Sequence, residues 1–330
     1  MKATPLVLAI FLSQIAPAQN VEKTLYFVHL TQDLPAAATA IRTIASVPAP
    51  TLDESSRSLT LRGTSDQVAL GEWLFKSLDV ATNGPADPNI GAPYRVSGTD
   101  DVVRIFYLTY AGTVQEQQEV ATLIRTVGEV RQVWVYQPQK ALIMRGTAEQ
   151  LAMAEWISTA LDRHKQGQLP QTPEFRLASG TDNIVRMFWA STPSGIQAFQ
   201  EMATSMRTIS EIRRVFTYNE QKAMAVRGTA EQLDLAAWLI NELDQPAHIV
   251  SPPYTIADSP WNLVHVFFLS PSATSSPADF QKIAKDVRTA GNIRFVFTYT
   301  PTLAIVVRGA ENQMQVAGKM LEGKLFAAAR

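Results

Sequence analysis

The ten residues ALIMRGTAEQ at positions 141–150 decide the fold of this chain, because their pattern recurs. The Arg-Gly pair stands at four places, with steps of 83, 82 and 81 residues: Arg62-Gly63, Arg145-Gly146, Arg227-Gly228 and Arg308-Gly309. An Arg-Thr pair begins 20 residues before each of them, at Arg42, Arg125, Arg207 and Arg288. A fixed internal spacing in four copies predicts one small structural unit repeated four times along the chain.

The second copy shows the order of elements within a unit. Residues 102–110 are rich in β-branched and aromatic side chains, which predicts a strand, and residues 115–127 have the apolar spacing of an amphipathic helix. Residues 133–136 and 141–144 predict a hairpin around a four-residue loop. Gly146 is expected to free the backbone for a turn, and Thr147 with Gln150 forms a capping box that starts a second helix. The unit is therefore β-α-β-β-α.

The predicted fold class is α+β, with four tandem βαββα modules, each a small sheet with two helices packed on one face. We place the modules at residues 21–79, 94–162, 174–244 and 254–326. The first residues, 1–18, are predicted to be a signal peptide, with Lys2, an apolar stretch at 6–12 and a small-x-small cleavage site ending at Ala18. The mature chain would then begin near Gln19 and be periplasmic; an uncleaved N-terminal anchor or a buried core helix is the alternative.

Composition excludes several functional classes. Lys and Arg number 29 against 30 Asp and Glu, so no basic surface is expected to attract nucleic acid. The chain has no cysteine, which excludes disulfides, thiolate metal sites and a cysteine nucleophile. The four histidines occupy non-equivalent places, and no HExxH or GxSxG motif occurs. We therefore predict no enzyme activity, no catalytic residue, no metal and no cofactor.

The unit resembles a known family of modules. The resemblance is carried by residues 51–64 through Leu78-Asp79 and by the equivalent stretches 133–162, 215–244 and 296 onward, in which an apolar strand runs into Arg-Gly and an amphipathic helix. This order resembles the N-terminal repeat domains of bacterial secretins, the KH-like, ring-building modules. The resemblance implies modules that stack in the periplasm and assemble into rings that guide or dock partner proteins. It covers the repeats and not the membrane-inserting β-barrel region of a secretin, so no pore is expected.

The hairpins suggest a partner surface. A four-residue loop pairs Tyr136 with Ala141 and Trp134 with Ile143, and alternation then places both aromatics on the sheet face away from the helices. The candidate partner surface consists of the aromatics at these places in the last three modules: Trp134, Tyr136, Phe216, Tyr218, Phe297 and Tyr299. Either the next module or another protein is expected to cover them. The first module has Thr51 and Asp53 instead, which is typical of a capping end.

The repeated arginines Arg62, Arg145, Arg227 and Arg308 have two interpretations. They hydrogen-bond loop carbonyls or pair with Asp79, Asp162 or Asp244, or they bind an anionic glycan or an acidic partner. The repeated tryptophans, Trp73, Trp156 and Trp238, are expected to pack against a neighbouring element.

The predicted function is a non-enzymatic periplasmic scaffold or docking protein, self-associating or binding a secretion or pilus-type envelope assembly. The predicted partners are proteins or further copies of the chain, without nucleic acid, and the mature chain is not membrane-spanning. A periplasmic protein that binds cell-wall glycan or peptide is the alternative, and an enzyme with a site at one module junction is a third hypothesis.

Overall fold

A computed structural model describes residues 20–80, 92–162, 174–245, 252–257 and 259–326. The predicted signal peptide, residues 1–18, lies outside the described residues. Within the described ranges the chain forms eight α-helices and four antiparallel sheets, so the predicted α+β class is confirmed. By compactness the chain divides into two units, residues 1–99 and residues 100–330, which are described separately.

The first unit contains one complete copy of the predicted order and a further short strand. Its elements are β1 (Asn20–Tyr26), α1 (Leu34–Ala45), β2 (Thr51–Asp53), β3 (Ser58–Thr64), α2 (Ser65–Leu78) and β4 (Tyr94–Arg95). Strand β3 lies between β1 and β2, and all three run antiparallel.

The second unit contains the three other copies, called modules 2, 3 and 4, while module 1 is the copy in the first unit. Module 2 has β5 (Asp101–Tyr107), α3 (Val114–Val127), β6 (Gln132–Tyr136), β7 (Ala141–Thr147) and α4 (Ala148–Leu161). Module 3 has β8 (Glu174–Arg176), β9 (Ile184–Trp189), α5 (Ile196–Ile209), β10 (Arg214–Tyr218), β11 (Ala223–Gly228) and α6 (Ala230–Leu243). Module 4 has β12 (Tyr254–Thr255), β13 (Leu263–Phe268), α7 (Pro277–Ala290), β14 (Phe295–Tyr299), β15 (Ala304–Gly309) and α8 (Glu311–Leu321). The four boundaries given above stay predictions.

The hairpin register is as predicted. Tyr136 pairs with Ala141 and Trp134 with Ile143, around a 3₁₀ turn at Gln137–Gln139 followed by a left-handed Lys140. Val133 and Met144 lie on the other face, in one buried cluster with residues of α3 and α4. Each sheet therefore has one face under its own two helices, because a period of two sends alternate side chains to opposite faces.

The glycine of the Arg-Gly pair has a different role from the one predicted. Gly146 lies within β7 and makes no turn, since Arg145, Gly146 and Thr147 continue the ladder with β5. A Cβ at Gly146 would lie 2.8 Å from Oε1 of Gln150, and the equivalent distances at Gly63, Gly228 and Gly309 are 2.6, 3.0 and 2.8 Å. The residue is glycine because the capping glutamine needs that space, and not because the backbone turns there.

Modules 3 and 4 each begin with a short additional strand. Strand β8 pairs antiparallel with β9, and β12 pairs with β13, so that each sheet has four strands. These strands contain an aromatic residue shortly after a proline, at Phe175 and Tyr254, which is the sequence signal for them. They were missed because two or three residues are too few to show an alternating pattern.

The N-terminus of helix α8 has one capping hydrogen bond fewer than its equivalents. Thr147 and Thr229 accept a hydrogen bond from the amides of Gln150 and Gln232, whereas Ala310 has no side-chain oxygen and keeps only the bond from its own amide to Gln313. Helix α8 has 11 residues, while α2, α4 and α6 have 14.

Candidate functional site

The open face of the module 3 sheet is covered by module 2. Tyr218 is 1% exposed, and together with Ala223 and Ala225 it belongs to the buried cluster that contains Val120 and Val127 of α3. Phe216 packs against the same cluster, and α3 lies against β10. The interior of module 2 and the outer face of module 3 are therefore one continuous apolar core.

Module 3 covers module 4 in the same way. Tyr299 and Val306 share a buried cluster with Phe199 and Met206 of α5, and Phe297 packs against this cluster. Burial raises the pKa of the Tyr299 hydroxyl to about 12, with the charges of Asp244 and Glu201 adding to the effect.

Four of the six candidate aromatics are thus covered within the chain. Phe216, Tyr218, Phe297 and Tyr299 are covered by a neighbouring module, which is the one before them in the chain and not the one after. Tyr136 is buried and Trp134 is half-buried. A stacking module supplies an apolar cover within the same chain, so Phe216, Tyr218, Phe297 and Tyr299 hold neighbouring modules together.

Two of the repeated arginines cross the module junctions. Arg308, 6% exposed, donates through Nη1 to the carbonyl of Ile209 at 2.6 Å and pairs with Glu211 at 3.0 Å, both in module 3. Arg227, 9% exposed, reaches Glu129 of module 2 at 3.0 Å and the carbonyl of Val127 at 3.4 Å. These contacts support the structural interpretation of the arginines.

The other two repeated arginines each pair with a carboxylate on the adjacent strand of the same sheet. Arg62 is exposed and pairs with Glu22 at 3.0 Å, and Arg145 pairs with Asp101 at 2.8 Å. Arg62 is thus an exposed counterpart of Arg227 and Arg308, with its guanidinium paired to an exposed carboxylate.

A second carboxylate crosses each junction from the first helix. Glu119 of α3 accepts the amide of Asn219 at 3.0 Å, and Glu201 of α5 accepts the amide of Thr300 at 2.9 Å. These amides open the 3₁₀ turn in the next module's hairpin. Each junction thus has two carboxylates. One lies within the first helix and accepts an amide of the next module's hairpin turn, and the other follows that helix and pairs with the buried arginine.

The repeated glutamine positions the carboxylate that binds the arginine. Nε2 of Gln150 donates to the carbonyl of Glu129 at 2.9 Å, and Nε2 of Gln232 donates to that of Glu211 at 3.1 Å. Glu129 and Glu211 have the left-handed backbone, with φ of 54° and 52°. Because non-glycine residues rarely adopt this conformation, the glutamine bond helps to hold it.

The tryptophans pack against the added strands, as predicted for a neighbouring element. Trp156 of α4 meets Phe175 of β8 with ring centroids 5.8 Å apart, and Trp238 of α6 meets Tyr254 of β12 at 5.5 Å. In the first unit Trp73 meets Tyr94 at 5.4 Å.

The aspartates of the Leu-Asp pairs do not bind the repeated arginines, contrary to one prediction. Asp162 accepts the amides of Thr109, Tyr110 and Ala111 at 2.5, 2.6 and 3.0 Å. Asp79 and Asp244 accept amides of the equivalent loops, from 28 to 30 and from 191 to 192. A carboxylate with several amide donors fastens the end of the second helix to the loop after the first long strand.

The Arg-Thr arginines lie over the edge strands of the second unit. Arg125, Arg207 and Arg288 donate to the carbonyls of Val133, Val215 and Val296 at 2.6, 2.8 and 2.5 Å. A carbonyl that already accepts a guanidinium is less available to a foreign strand, which is one way of protecting a sheet edge.

An open cavity of about 470 Å³ lies in module 3. It is lined by Thr181, Asp182, Glu211, Arg213, Arg214, Arg227, Thr229 and Gln232. Arg214 pairs with both Asp182 and Glu129, and Arg227 pairs with Glu129, so these charges are already compensated. The cavity therefore adjoins the junction between modules 2 and 3.

The face of α7 differs from those of α3 and α5. Lys282 takes the place of Glu119 and Glu201, Asn292 that of Glu129 and Glu211, and Asp286 that of the buried Leu123 and Ser205. All three are exposed, so α7 lacks the two carboxylates that hold a following module.

Module 1 presents a polar sheet face. Thr24, Thr51 and Asp53 are exposed, and Thr24 and Thr60 share a hydrogen bond of 2.9 Å. Hydrogen bonds from Ser55 and Ser56 lower the pKa of Asp53 to about 2. This polar face agrees with the capping end that Thr51 and Asp53 predict.

Some large apolar side chains remain exposed beside the junctions. Val114 and Ile196 hold the first position of α3 and α5, at 59% and 61% exposure, and Tyr110 precedes α3 at 48%. No helix among the described residues is long and apolar enough to cross a membrane.

Comparison with known proteins finds similarity to secretins among solved structures. The secretin GspD of the type II secretion system of E. coli K12 is 15% identical, covering 69% of this chain and 40% of its own, with a TM-score of 0.17. ExeD of Aeromonas hydrophila is 14% identical, covering 69% of this chain and 42% of its own, with a TM-score of 0.17. The N-terminal domain of the secretin XcpQ from Pseudomonas aeruginosa is 12% identical, covering 63% of this chain and 76% of its own, with a TM-score of 0.22.

The solved structures to which the chain is similar include the N-terminal domain of a secretin, the type of module that the sequence resembles. The chain spans about two fifths of the length of the GspD and ExeD chains, so the activity of a whole secretin does not transfer to it. No protein-family model matches the chain, and no curated protein matches it.

Proposed function

We propose that this chain is a non-enzymatic scaffold or docking protein of the bacterial periplasm, which self-associates or binds a secretion or pilus-type envelope assembly. The observation that carries the proposal is where the repeated polar side chains make their contacts. The buried arginines, the capping glutamines and the Leu-Asp aspartates bind backbone groups or neighbouring modules. Side chains committed in this way build and align modules, which is the property of a scaffold.

The continuous cores of the second unit support the same proposal. Two junctions with the same pair of carboxylates fix the orientation of three modules. A fixed array can hold several binding surfaces in one arrangement, and solenoid proteins use their extended surfaces in this way. Val114 and Ile196 lie at equivalent positions of neighbouring modules and are available for such contacts.

The test is recovery of the complex from envelope extract of the source bacterium, using the full mature chain as bait. A bait with Val114→Glu and Ile196→Glu should keep its fold, because both side chains are exposed. We expect it to recover at least about tenfold less of an envelope assembly component than the unchanged bait recovers. The matched control carries Thr126→Glu and Thr208→Glu, exposed positions near the other ends of the same helices, and should recover the component normally.

Two results would contradict this function. One is that the unchanged bait, the variant and the control all recover equal amounts of peptidoglycan and no protein, which supports the cell-wall alternative. The other is a chain that stays monomeric by light scattering at high concentration and yields no specific protein on cross-linking.

A further inference from the structure

Strand β1 is an edge strand that differs from its equivalents in the second unit. Six of its seven residues are exposed, whereas β9 and β13 are mostly buried. In modules 3 and 4 the outer edge of the equivalent strand pairs with β8 or β12. Within the described part of the chain, β1 has a partner on one side only, which is β3.

The hydrogen-bonding direction of β1 follows from its neighbour. The amide of Phe27 donates to the carbonyl of Arg57 at 2.8 Å, on the side of β3. Because backbone groups alternate sides along an antiparallel strand, the N–H and C=O groups of Glu22, Thr24 and Tyr26 point away from β3. They form an ordered row of free donors and acceptors, which is a template for another strand.

We propose that β1 pairs antiparallel with β1 of a second copy of this chain, forming a two-fold dimer across this edge. The inference rests on the proposed function, of which it specifies the self-association. It names a surface different from the sheet faces and from the exposed apolar side chains of α3 and α5.

Two copies of β1 can pair in one antiparallel register without a conflict of charges. With Thr24 opposite Thr24 of the second copy, Glu22 lies opposite Tyr26 and Lys23 opposite Leu25. No like charges meet, and Lys23 is already paired with Glu72 at 2.6 Å. The register centred on Glu22 would bring two carboxylates together, and like charges directly opposite destabilise a sheet.

Side chains around the strand are also suited to a two-fold contact. Tyr26 is 63% exposed and Val28 is 66% exposed, on either side of the buried Phe27. In the register centred on Thr24, Val28 comes to lie beside Asn20 of the second copy and Tyr26 beside Glu22. A two-fold interface of this kind uses the same residues from both chains, as most homodimers do.

The first test separates the backbone donor from the side chain. Glu22→Pro removes an outward N–H and leaves the ladder to β3 intact, because proline is tolerated on a free strand edge. Glu22→Ala removes the same side chain and keeps the N–H. In sedimentation of the full mature chain, the dimer dissociation constant should rise about tenfold or more for Glu22→Pro relative to Glu22→Ala. Equal constants would refute the edge pairing.

The second test does not depend on the proline variant folding. The chain has no cysteine, so a single introduced thiol reports contacts only between copies. Thr24→Cys lies opposite itself in the proposed register, within disulfide range. Thr60→Cys, whose parent side chain bonds Thr24 on the same face, lies one strand further from the two-fold axis and is the matched control. Oxidation should cross-link Thr24→Cys at least about tenfold faster, since only its Cα atoms would be about 5.5 Å apart.

The outcomes distinguish this inference from the proposed function. A dimer that persists unchanged in Glu22→Pro, with equal cross-linking at both cysteines, overturns the edge pairing but leaves self-association. A monomeric wild type overturns the edge pairing as well, and the recovery experiment with Val114 and Ile196 then decides on docking to other proteins. A third outcome is that the wild type and Glu22→Ala capture another protein, whereas Glu22→Pro does not. That result would mean that a strand of another protein occupies the edge, which also contradicts pairing with a second copy.

Discussion

The glycine of each Arg-Gly pair and the glutamine four residues later act together. Gly146 leaves room for Gln150, which bonds both the amide of Thr147 and the carbonyl of Glu129. Glu129 in turn binds Arg227 of the next module. A motif that reads as a turn signal in the sequence is therefore the first part of a junction between modules.

This arrangement predicts that Gly146→Ala destabilises the second unit by about 0.5–2 kcal/mol, because Gln150 must move and give up its capping bond to Thr147 and its bond to the carbonyl of Glu129. The measurement is the free energy of unfolding in denaturant. Gly318→Ala is the control, because nothing lies within 4 Å of the added Cβ and the residue is inside α8. It should stabilise by about 0.5–1 kcal/mol, as alanine favours helix. Equal effects of the two variants would contradict the role given to Gly146.

Asp162 supplies a second residue-scale prediction. Asp162→Asn replaces an acceptor of three amides by a group with one acceptor oxygen, which should cost about 1.5–3 kcal/mol. Hydrogen exchange at the amides of residues 109–111 should accelerate accordingly. Asp100→Asn, an exposed aspartate on the same module, should leave these amides unchanged. Normal protection in Asp162→Asn would show that the carboxylate does not fasten the loop.

We expect His265 to make the stability of module 4 depend on pH. Lys23, Arg104 and Arg186 hold the equivalent place and pair with helix carboxylates, whereas His265 stacks on Phe267 at 4.3 Å. Burial lowers the pKa of His265 below its usual 6.5. The folded state therefore disfavours the protonated ring, so stability is full above about pH 6.5 and decreases as the pH falls through the lowered pKa.

The expected result is a melting temperature that declines between pH 7.5 and 5.5 more in the wild type than in His265→Gln. The glutamine variant has no proton to take up at this position. Parallel pH profiles of the two proteins would refute the assignment.

At the scale of elements, periodicity predicted most of the structure. Strand alternation gave the faces of β6 and β7, and the loop length gave their register. The short strands β8 and β12 were not predicted, since their two or three residues carry no pattern. What covers Tyr218 and Tyr299 was also left undecided, because an apolar sheet face has the same sequence whether a module or a partner lies on it.

The signal for the junction residues was present in the sequence. Glu119 and Glu201 stand at equivalent positions of two modules, as do Glu129 and Glu211, while the fourth module has Lys282 and Asn292. This difference between inner and terminal copies could have identified the carboxylates as junction residues. Their partners could not be predicted, since a bond such as that from Arg308 to Ile209 depends on tertiary packing.

The junction elements give a prediction with a control in the same chain. Arg308→Lys loses the buried bond to the carbonyl of Ile209 and weakens the pairing with the half-exposed Glu211, and should cost about 1–3 kcal/mol in the second unit. Arg62→Lys, at the equivalent exposed position of module 1, should leave stability nearly unchanged. Thermal unfolding of both variants checks the difference. Similar losses would mean that the buried position has no special role.

At the scale of the molecule, the second unit behaves as three modules with two shared cores. Small modules bury too little surface to be very stable alone, so neighbours contribute much of the stability. The polar face of α7 and the polar sheet face of module 1 lack the features that bind a further module. We therefore expect association between chains to use other surfaces.

The most direct test of the shared cores is hydrogen exchange in helix α5, Ile196–Ile209, compared between the chain from residue 20 to residue 330 and the same chain ending at residue 245. Removing module 4 uncovers the cluster that α5 shares with Tyr299 and Val306. We predict at least about tenfold faster exchange in α5, with exchange in α2 of the first unit unchanged as the internal control. Equal protection of α5 in both chains would contradict the claim that neighbouring modules stabilise one another.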